Sequence, residues 1–77
     1  MEIVKECKKV KVIRTIVTKK EVIDNIGMKI SAGTELHIIN EIQNPLNKIW
    51  ELIVLVDNGT GVLDLMPKTV IHKHRIE

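Results

Sequence analysis

The stretch that decides the fold is KIWELIVLV, residues 48 to 56, followed by DNGT at 57 to 60. Nine residues dominated by Ile, Leu and Val, ending at an Asn-Gly pair, read as a strand entering a tight turn, because Asn and Gly tolerate the positive φ such turns need. Alternation does not choose its inner face. If Trp50 looks outward, so do Leu52, Val54 and Val56, and Ile53 and Leu55 line the core; the opposite parity reverses the two sets. Both sets are apolar, so a second layer or a second molecule is expected over whichever face the core leaves.

Working outward, Gly61 to Met66 reads as a fourth strand antiparallel to this one, Pro67-Lys68-Thr69 as a turn, and Val70 to His74 as a short fifth strand. Upstream, TELHIINEI at 34 to 42 reads as the second strand, with Leu36, Ile38 and Asn40 on one face. It is entered by a turn at Ser31-Ala32-Gly33 and broken by Gln43 to Asn47, which contains Pro45. KVKVIRTIVT at 9 to 18 is the first strand, with room for an irregularity near Ile13, and Lys19 to Met28 reads as a long irregular connection. Residues 1 to 8 are a lead-in without clear period.

Composition agrees with an all-β chain. The 77 residues allow one domain, with residues 9 to 76 as its body. There are 13 Ile and 9 Val against one Ala, one Trp and no Phe or Tyr, and β-branched side chains suit a pleated surface better than a helix. The longest apolar run, Leu52 to Val56, is too short for a signal core or a membrane span. The lone Cys7 makes no internal disulfide, and a cytoplasmic setting is the expectation. Abundant Ile, Lys and Asn suit an AT-rich bacterial or phage genome.

The order of features resembles Src homology 3 domains and their bacterial relatives over about residues 10 to 72. A long loop leads to Gly33-Thr34-Glu35-Leu36; after a broken turn comes a strand opened by Trp50, then a tight Gly turn, Gly61-Val62-Leu63, a Pro67 turn and a final Val70-Ile71 strand. The resemblance implies a small five-stranded barrel and the outward parity of the Trp50 strand, which places Trp50, Leu52 and Val54 on a protein-binding surface. It does not carry over proline-motif binding, since that groove needs several aromatic side chains and Trp50 is the single one here.

Charge is unevenly placed. Residues 1 to 20 sum to +5, residues 21 to 66 to −5, and residues 67 to 77 to +2, within a net charge of +2. The resemblance implies neighbouring first and last strands, so Lys9, Lys11 and Arg14 would meet Lys73 and Arg75 in a basic strip suited to phosphates. Lacking Phe and Tyr for stacking, such a strip would address duplex backbones or an acidic protein.

Little in the chain suggests catalysis. Ser31 and the five Thr lie in no nucleophile motif, Cys7 has no evident base, and Asp57, Asp64, Glu35, Glu41 and Glu51 cannot be paired from sequence. His72 and His74 share a strand side and would bind metal only with a third ligand such as His37 or Cys7; the ordinary expectation is a solvated pair. The chain therefore reads as a non-enzymatic, cofactor-free protein-interaction module. It is expected to self-associate and to bind a protein partner, for example as a small inhibitor from a mobile element, with nucleic-acid binding as the alternative.

Overall fold

The computed structural model describes residues 11 to 76. Lys9, Cys7 and the lead-in at 1 to 8 lie outside the described residues. Among the described residues six strands form: β1 Arg14–Val17, β2 Val22–Ile23, β3 Lys29–Ile30, β4 Glu35–Gln43, β5 Trp50–Val56 and β6 Lys68–His72, with short 3₁₀ turns at Leu63–Leu65 and Lys73–Arg75. β1, β4, β5 and β6 make an antiparallel sheet in that order, and β2 and β3 pair separately. The fold is all-β.

β5 is the central ladder. It pairs with β4 from Leu36 opposite Val56 to Gln43 opposite Trp50, and with β6 from Glu51 opposite His72 to Leu55 opposite Lys68. Its parity is the reverse of the outward expectation: Leu52 and Val54 are fully buried, and together with Leu36, Ile38, Ile71, Val22 and Ile30 they are the core. The β2–β3 hairpin decides the matter, because Val22 and Ile30 are its buried side chains and both belong to that cluster. Ile53 lies on the other face, half-buried.

A two-residue ladder holds little by itself, and polar bonds fix this one. Buried Asp24 accepts the backbone N–H groups of Ile26 (3.0 Å) and Met28 (2.8 Å) on Oδ1 and the Thr69 hydroxyl on Oδ2 (2.6 Å). Asn25 N–H donates to Val70 O on the outer side of β6 at 2.9 Å. The hairpin is thus tied across the sheet, from a turn that the sequence marks only as irregular.

Other expectations change as well. Residues 61 to 66 hold a 3₁₀ turn and no strand, so the link between β5 and β6 is a long loop. The final strand begins at Lys68, not Val70, because Pro67 does not break the ladder: its carbonyl accepts Val56 N–H at 2.9 Å and its missing N–H is not needed. Lastly, β1 and β6 lie at opposite edges of the four-stranded order, and the described residues form no closed five-stranded barrel.

A β-bulge sits in β4. Ile38 faces Val54, but Asn40 faces Ile53, so Ile39 and Asn40 together oppose one residue. Beyond it the parity is reversed: Glu41 stands opposite Leu52 and Gln43 opposite Trp50, on the core side, and Asn40 turns to the outer face instead of joining Leu36 and Ile38.

Candidate functional site

The bulge builds a polar end on the core side of the sheet. Glu41 follows Ile38 on that face where the apolar cluster stops, and one carboxylate oxygen receives Arg14 Nη2 at 3.1 Å and Lys73 Nζ at 2.9 Å. The Lys73 ammonium, its nearest partner, and then Arg14 hold the Glu41 carboxyl below its ordinary range. The edge strand β1 and the 3₁₀ turn that follows the opposite edge strand β6 are therefore linked through Glu41 of β4.

Trp50 lies beside this bridge. Its strand parity is that of Leu52 and Val54, yet it sits one step beyond the core and is 45% exposed. Lys73 Nζ lies 5.8 Å from its ring centroid, a cation–π contact. Ile49, Trp50, Lys73 and His74 line a shallow, mostly apolar depression of about 350 Å³. At the turn that leads into it, Leu46 is 91% exposed. Lys48 there has φ 63°, with its N–H donating to Asn44 O and its carbonyl accepting Gln43 Nε2.

Of the three residues expected on a protein-binding face, the structure leaves Trp50 at the surface and withdraws Leu52 and Val54. Fully buried side chains offer nothing to a partner. Ile49, Lys73 and His74 take their place around Trp50, and what brings Lys73 and His74 there is the β5–β6 register, Glu51 opposite His72, which alternation does not reveal.

The basic strip is rearranged. Lys11 is exposed ahead of β1, while Arg14 and Lys73 meet on Glu41, which offsets part of their charge. Arg75 instead reaches the β2–β3 hairpin, where its guanidinium donates to Ile23 O at 2.9 Å. There Lys19, Lys20, His74 and Arg75 line a groove of about 430 Å³ floored by Val17, Val22 and Ile76. Lys19 and Lys20 were not among the expected contacts, although their place in the basic first segment signals them.

His72 and His74 have ring centroids 5.6 Å apart, but His37 joins neither; it shares a hydrogen bond with Thr15 (3.0 Å) on β1. His72 instead faces Glu51 at 3.7 Å. Among the described residues no helix is long and apolar enough to cross a membrane. Comparison with known proteins finds no matching family model, no similar curated protein and no similar solved structure.

Proposed function

We propose that the chain is a non-enzymatic, cytoplasmic protein-binding module of the small-barrel type suggested by its resemblance to Src homology 3 domains, and that it contacts its partner, and other copies of itself, through Trp50. The observation that carries this reading is a half-exposed sole aromatic side chain set in an apolar depression with Ile49, flanked by Lys73 and His74. Interface energy concentrates in such anchors, and Trp and Arg are the commonest of them. The fitting partner presents an apolar side chain to the indole and an acidic group to the rim.

Nucleic-acid binding is the second reading, favoured by the groove of Lys19, Lys20, His74 and Arg75. Phosphate binding there is insensitive to base sequence and weakens with a salt slope of about −0.9 per phosphate neutralised on duplex DNA.

One pair of variants separates the two. Sedimentation equilibrium of Trp50→Ala should give a folded monomer of 8.8 kDa where the unaltered chain is heavier, while Lys19→Ala/Lys20→Ala leaves association intact. Monomeric behaviour of the unaltered chain at every concentration, together with nuclease-sensitive recovery lost in the double lysine variant, would overturn the protein-binding reading in favour of the second.

A further inference from the structure

On the outer face of the sheet, opposite the core, three side chains of ligand type converge. Glu35 and His37 are two apart on β4 and so project from the same side. Asp57 follows β5 directly across from Glu35, with its backbone N–H donating to Glu35 O at 3.0 Å. Cross-strand neighbours of this kind stand about 5 Å apart at Cβ. One imidazole nitrogen and one carboxylate oxygen from each acid all lie within 4.8 Å of one another.

The fourth member of the row is Thr15, opposite His37 on β1. Its hydroxyl lies 3.0 Å from His37 Nδ1, while His37 Nε2 is turned to Glu35, 3.9 Å from Oε1. When Nδ1–H donates to Thr15, the lone pair of Nε2 is directed to the two acids. A hydrogen-bonding partner on the far nitrogen is the usual way that metal-binding histidines are oriented. Asp57 is held likewise: Gly59 N–H donates to its Oδ1 at 2.8 Å, which fixes the carboxylate and leaves Oδ2 for a ligand.

We propose that Glu35, His37 and Asp57 form a binding site for a divalent first-row transition ion, with Thr15 as the orienting residue. The donor set of one imidazole and two carboxylates suits zinc, iron(II), cobalt(II) or nickel(II) better than magnesium or calcium, for which imidazole is a poor ligand. A cation about 2.0 to 2.2 Å from each ligand in a tetrahedral arrangement draws the ligand atoms to about 3.4 Å of one another. The contraction of roughly 1 Å needed falls to a rotamer adjustment of the Glu35 side chain, which is half-exposed and long. The protein supplies three ligands, so water completes the coordination. The site is separate from Trp50 and from the basic groove, and it stands or falls independently of the proposed function.

Calorimetric titration of the full chain with zinc, repeated with cobalt(II) by visible absorption, is the test. One ion per chain is expected, with binding lost in His37→Ala and in Asp57→Asn, which keeps the bond to Gly59 N–H, and weakened about tenfold in Thr15→Val. Cys7→Ser, His72→Ala and His74→Ala should leave it unchanged. No binding, or binding that persists in folded His37→Ala and Asp57→Asn or disappears with Cys7, His72 or His74, overturns the proposal.

Discussion

The two faces of the β4–β5–β6 ladder have nearly the same apolar content and opposite fates. One face, with Leu36, Ile38, Leu52, Val54 and Ile71, is sealed by a hairpin of two two-residue strands. The other carries Leu55 buried opposite His37, but Ile39, Ile53 and Val70 only half-buried, and it has no second sheet over it among the described residues. What separates them is where the covering hairpin is fastened, and the fastening is polar. Asp24 reaches Thr69, a core-side residue opposite Val54, and Arg75 reaches Ile23 O. Apolar patterning supplied two candidate interiors; a carboxylate and a hydroxyl selected one.

The largest expected effect tests that inequality directly. Leu52→Ala should cost about 2 to 5 kcal/mol, much of the stability of a chain this small, whereas Ile53→Ala on the neighbouring position should cost about 1 to 2 kcal/mol. Urea denaturation measures both. Equal losses would mean that the faces are equivalent.

Asp24→Ala comes next, at about 3 kcal/mol, since it leaves the Thr69 hydroxyl and two backbone N–H groups without their acceptor. Burial disfavours the Asp24 anion, but the bonds from Thr69, Met28 and Ile26 outweigh it and lower its carboxyl below the ordinary value. Its contribution is therefore full above the unfolded value of about 3.9 and is lost as pH falls through the lower native one. Acid titration of stability should show this loss in the unaltered chain and a flatter course in Asp24→Asn.

The smallest effect is a gain. Lys48 holds φ 63° without being glycine, a conformation that costs an L-residue about 1 kcal/mol. Lys48→Gly should raise Tm by about 4 °C or more, and an unchanged or lower Tm would show that the turn is not strained there.

Legibility followed length. β4 and β5, with nine and seven residues, stand within two residues of the stretches read at 34 to 42 and 48 to 56, because alternating or continuous Ile, Leu and Val over that span has few other solutions. β2 and β3 have two residues each, too few for any period, and the bond that fastens Asp24 to the sheet comes from Thr69, far away in sequence. The stretch from Gly61 to Met66 misleads for a local reason. Val62, Leu63 and Leu65 look strand-like, yet Asn58 Nδ2 bonds Leu65 O and the 3₁₀ turn closes on itself. Trp50 was legible as a residue of interest, but its neighbours were not, since Lys73 and His74 reach it only through the β5–β6 register. The Glu35–His37–Asp57 trio needed that same kind of information from β4 and β5.

The extra residue at Ile39–Asn40 acts as a change of phase in a two-beat pattern. Before it, even-numbered positions of β4 point to the interior; after it, odd-numbered ones do, so Glu41 stands opposite Leu52 where Asn40 would otherwise be, and Gln43 opposite Trp50 in place of Ile42. The long hairpin thereby carries two independent messages on one continuous ladder. Its near half specifies a hydrophobic interior, and its far half specifies the charged and aromatic tip where Arg14, Lys73 and Trp50 gather. Substitutions can retune either half while leaving the other alone, but a single-residue insertion or deletion at the phase change exchanges inside for outside along the whole tip. In this chain, spacing at that point matters more than the identity of the residues that occupy it.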